Sequence, residues 1–202
     1  MNFTTKLKRL NACKDAIEWA QSYPTFKEAW DKCERADWML WIAGTMAKKD
    51  SDYHKEVVLC ACKCARTSLK YLPKSEKRPL ECIKVVEKWA KGKATIKEVG
   101  KARRAAADAA DAAYAADAAY AAAADAAYAA YADAAAYAAD AAAYADADAD
   151  ADAAAYAAYA AAAAAYADAD ADADAAAWSI TRYKKLKQLA NLVRKNLKPP
   201  ME

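Results

Sequence analysis

The stretch YADADADADAAAY, residues 144–156, sets Asp146, Asp148, Asp150 and Asp152 in strict alternation with alanine, and a near copy, YADADADADAAAW, begins 22 residues later at 166–178. Alternation with a period of two is the pattern of a half-buried strand. The residue types oppose that reading. Alanine is the strongest helix former, and both Ala and Asp are depleted in strands. Propensity prevails because the apolar half of the alternation is only alanine, which leaves a strand little area to bury. The stretch therefore predicts helix. It is weakest at the two aspartate runs, where Asp146 and Asp150, Asp148 and Asp152, Asp168 and Asp172, and Asp170 and Asp174 stand as like-charged i,i+4 neighbours. Their carboxylates point to all sides of a helix, so neither run has a dry face.

Outward from these runs, residues 105–177 contain only Ala, Asp and Tyr, and neither Gly nor Pro occurs between Gly100 and Pro199. The absence of both removes helix breakers and strand turns together, and the chain reads as all-α. One straight helix from 95 to 197 would reach ~150 Å at ~1.5 Å per residue. A compact domain of this length is about 35–40 Å across. The tract is therefore expected to turn back near its aspartate runs, giving antiparallel helices with alanine faces packed near the low end of the usual ~8–10 Å separation. Tyrosines would line the edges with their hydroxyls in water. The 22-residue duplication is two 11-residue units, which suits a nearly straight or slightly right-handed helix. Recent duplication of repetitive DNA would leave the same mark.

The residues before the tract read as short amphipathic helices. TKLKRLNACKDAIEWAQSY places Leu7, Leu10, Cys13, Ile17 and Ala20 on one helical face, and Pro24 ends that segment. Thr25 can cap FKEAWDKC. ADWMLWIAGTMAKK is the most apolar stretch and is expected across the core, followed by YHKEVVLCACKCARTSLKYL. RPLECIKVVEKWAKG carries Pro79 at its start and Gly92 at its end, the usual helix punctuation. Thr95 opens a helix that runs into the tract. The tail, SITRYKKLKQLANLVRKNLKPP, is a basic amphipathic helix with Ile180, Leu186, Leu189, Leu192, Val193 and Leu197 on the face expected to dock on the N-terminal helices. The parts 1–104, 105–177 and 178–202 are expected to form one packed unit.

The net charge of +3 conceals opposed blocks. Residues 1–104 carry 24 basic against 13 acidic groups, residues 105–177 carry 14 aspartates and no base, and residues 178–202 carry 7 bases against Glu202. Acidic helices folded back on basic ones would satisfy that pattern, as would fully solvated faces. The basic N-terminus leads into no apolar signal core, and aspartates interrupt every long apolar run, so no membrane span is expected. The six cysteines sit in nothing that looks secreted. A cytoplasmic protein with reduced thiols is the expectation.

Chemical motifs are sparse. CACKC at 60–64, with His54 upstream, places Cys60 and Cys64 on one helical face and Cys62 away from it, unlike the convergent C-x2-C turns of zinc sites. Small core residues are the better reading, and no metal is expected. The aspartate runs lack the glycine turns and mixed ligands of calcium loops. No phosphate-binding glycine loop or nucleophile elbow occurs, and a single histidine assembles no nucleophile–base pair, so neither an enzyme nor a cofactor is expected. The tract lacks the spaced threonines of ice-binding helices. Nucleic acid would be repelled by the acidic tract, although the first hundred residues are basic. Trp38 and Trp41 beside Asp37 suit an interface anchor, while their apolar setting favours core packing.

ACKDAIEWA, ADWMLWIAGTM, VVLCACKCAR and RPLECIKVVEKWAKGKATIKEV, followed by an Ala/Tyr/Asp tract and a basic helix, resemble a family of immunity proteins linked to bacterial polymorphic-toxin systems and also carried by phages. The resemblance spans nearly the whole chain. Its most specific parts are Asp37-Trp38 with Leu40-Trp41, Arg78-Pro79, and Trp89-Ala90 followed by Gly92. It implies a non-enzymatic inhibitor that neutralises a toxin or host defence factor by occlusion, and supplies no catalytic residues. An acidic face bearing Asp146, Asp148, Asp150, Asp152, Tyr144 and Tyr156 would steer a basic protein partner, with Trp38 and Trp41 as further contacts. The alternative is a small-molecule binder that sequesters a nucleotide immune signal where basic and aromatic side chains meet. A third reading is a homo-oligomer built on alanine faces.

Overall fold

The computed structural model of the chain describes residues 3–49, 51–72, 74–120 and 175–201, and every regular element among them is helical. These are α1 (Phe3–Arg9), α2 (Lys14–Ala20), α3 (Phe26–Lys32), α4 (Ala36–Met46), α5 (Asp52–Arg66), a single 3-10 turn (Leu69–Tyr71), α6 (Arg78–Ala90), α7 (Ile96–Tyr120) and α8 (Ala175–Asn196). The turning back of the tract, its antiparallel packing, and the candidate residues Asp146, Asp148, Asp150, Asp152, Tyr144 and Tyr156 lie outside the described residues.

Local chemistry sets the helix ends. The Thr25 hydroxyl accepts from the Glu28 amide at 3.2 Å, and the Ser51 hydroxyl accepts from the His54 amide at 3.1 Å. Thr95 and Glu98 form a reciprocal capping box: the Glu98 carboxylate accepts from the Thr95 amide at 2.7 Å, and the Thr95 hydroxyl accepts from the Glu98 amide at 3.2 Å. Gly92, at φ 69°, ends α6 in a Schellman turn closed by Lys93 N–H to Lys88 O at 2.8 Å and Gly92 N–H to Trp89 O at 2.7 Å.

The stripe from Leu7 to Ala20 does not lie on one helix. Asn11 takes the left-handed region at φ 59°, and Ala12 N–H to Leu7 O with Asn11 N–H to Lys8 O, both 3.1 Å, close a second Schellman turn. Asparagine tolerates that backbone better than any other non-glycine residue in the segment. Helical periodicity carries no signal for such a stop. Its consequence is a corner between α1 and α2, and that corner helps to form the candidate site.

The core centres on α5, which packs against α4, α6 and α8. Val57, Val58, Cys60, Ala61, Cys62, Cys64 and Ala65 are all at most 1% exposed. Small side chains let several helices approach one helix closely. Cys62 points away from Cys60 and Cys64, as the periodicity requires, yet it is buried as fully because α5 is covered on more than one side. Leu40, Ile83, Val86 and Val99 complete this centre from α4, α6 and α7. The Arg66–Glu87 fork, two bonds of 2.8 Å, clips α5 to α6, and the guanidinium holds the Glu87 carboxyl below its ordinary pKa.

The tail docks as expected. Helix α8 lays Leu186, Leu189, Ala190 and Val193 against α4 and α5. Beyond it Leu197 and Met201 are buried, and the Tyr53 hydroxyl donates to Lys198 O at 2.9 Å. Lys187 pairs with Glu34 at 2.5 Å, and the Tyr183 hydroxyl donates to the same carboxylate. Those two hydrogen bonds hold the Glu34 carboxyl below its ordinary range. Among the described residues no helix is long and apolar enough to cross a membrane.

The thiols give a direct check. Cys13 is exposed, whereas Cys33, Cys60, Cys62, Cys64 and Cys82 are buried. A hydrogen bond to Cys60 and burial raise the Cys64 pKa well above its ordinary value. Only thiolates react readily. Native protein treated with an aromatic disulfide reagent is expected to release one equivalent quickly, and the other five only on unfolding. Several fast equivalents would contradict the placement of the α5 core.

Candidate binding cavity

The first four helices enclose a cavity of about 410 Å³. The corner at Asn11 turns Ala12 and Cys13 toward it, α1 supplies Phe3 and Leu7, and α2 supplies Ala16 and Trp19. Helix α3 adds Phe26 and Trp30, and α4 adds Trp38, Met39, Trp41 and Ile42. Four of the chain's six tryptophans therefore meet here.

The rings touch one another around the wall. Phe3 meets Phe26 edge-on with centroids 5.9 Å apart, and Phe26 lies 6.1 Å from Trp30. Trp19 lies 5.9 Å from Trp38 and 4.7 Å from Tyr23. These spacings fall in the range favoured by the aromatic quadrupole.

One ion pair interrupts the apolar wall. Arg35 precedes α4 in an extended conformation, and Asp37 sits in the first turn, where the helix dipole favours a carboxylate. Arg35 Nε donates to Asp37 Oδ1 at 2.9 Å and Nη2 donates to Oδ2 at 2.6 Å. The guanidinium also lies 4.4 Å above the Trp38 ring. The carboxylate is 11% exposed and the guanidinium 32%, so this is a partly sheltered bidentate pair. Asp37 in turn raises the Arg35 pKa, keeping it cationic. A guanidinium has five N–H donors, and this fork uses two of them.

Helix α8 braces the cavity from behind. Arg194 Nη1 donates to Trp30 O at 3.3 Å and to Cys33 O, while Nη2 donates to Asn191 Oδ1 at 2.6 Å. The first two carbonyls belong to the C-terminal end of α3, where the last carbonyls run out of intrahelical donors and, among the described residues, only the Cys33 amide, at 3.3 Å, also reaches Trp30 O. The Cys33 thiol donates to Arg35 O at 3.5 Å, and burial pushes its pKa up to about 11.

Trp38 and Trp41 are thus brought together as wall residues, half-buried rather than sealed in the core. Trp19, Trp30, Phe26 and Arg35 belong to the same site and were not singled out by sequence reasoning. The available signal was the crowding of Trp19, Trp30, Trp38 and Trp41 into 23 residues. Among the described residues no three His, Cys, Asp or Glu groups converge as metal ligands.

The chain matches no family model, no curated protein and no solved structure. The cavity's chemistry rests on its own residues: an aromatic wall, one internally neutralised ion pair, and unspent donors on a fixed guanidinium.

Proposed function

We propose that this chain is a non-enzymatic binding protein that neutralises a protein partner, a toxin or a host defence factor, by occluding its surface. The observation that carries the reading is the convergence of Trp19, Trp30, Trp38 and Trp41 on one cavity of about 410 Å³. Tryptophan is the residue most enriched among side chains that dominate binding energy, and such side chains cluster in desolvated pockets. The inhibitory role follows from the resemblance to immunity proteins, and the fourteen aspartates of 105–177 supply the charge that would steer a basic partner. Nucleotide sequestration gains less support. The cation on the cavity wall, Arg35, is already bound by Asp37, whose carboxylate would repel a phosphate.

The test is native mass spectrometry of tagged protein isolated from bacterial cells. A retained protein is the expected result, and its release from a Trp38→Ala/Trp41→Ala variant that still melts cooperatively would assign the anchor. A retained nucleotide, freed on denaturation, would overturn the reading. With the partner in hand, charge reversal at Asp146–Asp152 is expected to slow association and weaken its salt dependence, and unchanged kinetics would remove the steering role.

A further inference from the structure

Resting on that reading of the cavity as the recognition site, we infer that it seats an uncharged aromatic side chain whose adjoining amide carbonyl accepts a hydrogen bond from Arg35. Charge comes first. Arg35 and Asp37 are the ionised lining groups among the described residues, and they neutralise each other through two hydrogen bonds. An incoming anion would meet the Asp37 carboxylate, and an incoming cation would meet the Arg35 guanidinium. Either would surrender its hydration without an unspent counter-charge to replace it. A neutral group carries no such cost.

The wall then selects among neutral groups. Trp19, Trp30, Trp38, Trp41, Phe3 and Phe26 present ring faces and edges, which favour offset or edge-on contact with a further ring over contact with an aliphatic chain. The volume, about 410 Å³, lies toward the small end of the ~300–1,000 Å³ range of ligand pockets, so one bicyclic ring with its amide is a reasonable fill. Arg35 supplies direction. Its fork to Asp37 and its stack on Trp38 fix the guanidinium plane, and three of its five donors remain unspent among the described residues. A fixed donor beside an apolar wall rewards an acceptor at one edge of the ring and rejects a bare hydrocarbon.

Cys13 makes occupancy measurable. It is exposed and lines the same cavity, so a bound group covers its thiol. The experiment follows alkylation of Cys13 by iodoacetamide in the full-length protein, read by peptide mass spectrometry. The probes are N-acetyl-L-tryptophanamide, N-acetyl-L-leucinamide, N-acetyl-L-argininamide and adenosine monophosphate. If the seat exists, the tryptophanamide slows alkylation by the factor 1 + [L]/Kd, about tenfold at roughly nine times Kd, and the effect saturates. The other three protect less at equal concentration. Ala16→Phe, which fills the cavity from a partly exposed wall position, abolishes the probe-dependent ratio while the protein still melts cooperatively.

Absence of saturable protection overturns the seat, as does persistence of protection in the filled variant. Equal protection by the leucinamide overturns its aromatic character, and stronger protection by the argininamide or the nucleotide overturns its neutrality. A wild-type protein that ignores every probe yet loses its partner on Trp38→Ala/Trp41→Ala discards the seat and leaves partner occlusion standing. Probe binding in a protein that retains a nucleotide instead of a protein discards occlusion alone.

Discussion

Leu189→Ala is expected to lower the unfolding free energy by about 2–5 kcal/mol, the range for deleting a fully buried leucine side chain. Leu189 is 1% exposed and lies mid-way along the part of α8 that packs on α4 and α5. The cost combines lost transfer energy with a void that tightly packed neighbours cannot close. Ala190 and Val193 beside it are 0% exposed, so little room exists for collapse. Against a typical total of ~5–15 kcal/mol, such a loss would be a large fraction of the stability. Urea denaturation followed by helical circular dichroism measures it, with an unchanged m value showing that the same surface is exposed on unfolding. Lys184→Ala, on an exposed position of the same helix, should stay within about 0.5 kcal/mol. If Leu189→Ala cost no more than Lys184→Ala, the tail would not fold as part of the α4–α5 core.

That docking was legible because Leu186, Leu189 and Val193 repeat at helical spacing in a segment otherwise rich in lysine. The all-helical class was legible from the absence of Gly and Pro between Gly100 and Pro199 and from the abundance of alanine. Punctuation at Thr25, Pro79, Gly92 and Thr95 marked helix ends because each acts through its own backbone or side chain. The stop at Asn11 was not legible, since an asparagine in the left-handed region looks the same in sequence as one on a helix surface. The cavity depended on that stop. Trp38 and Trp41 stood out as a tryptophan pair beside Asp37, although their apolar context favoured core packing, but Trp19 and Trp30 join them only through the corners that bring α2 and α3 against α4. The Arg35–Asp37 fork spans two residues and is local, yet many such pairs form no fork. Its stack on Trp38 and its place on the cavity wall follow from tertiary packing.

Arg194→Met is expected to cost about 1–3 kcal/mol and to expose a second thiol. The guanidinium donates to Trp30 O and Cys33 O at the end of α3 and also touches Asn191. A hydrogen bond to a charged group contributes about 1.5–3 kcal/mol, and part of that is recovered when a half-exposed site admits water to the freed carbonyls. Methionine keeps an apolar stem and removes the guanidinium, with its donors, its charge and its contact to Met39 Sδ at 3.9 Å. The consequence reaches the cavity because Trp30 and Cys33 line it. Burial now holds the Cys33 thiol at a pKa of about 11 and keeps it inert. When the α3–α4 corner loosens, that thiol gains water and its pKa falls toward the ordinary value, so thiolate becomes available. Native protein should then release two fast thiol equivalents in place of one, with Cys33 identified by peptide mapping. Its reaction rate should rise with pH as the thiolate forms. Loss of stability with a thiol count still at one would mean that the corner is held by its own packing, with Arg194 contributing only to the seating of α8.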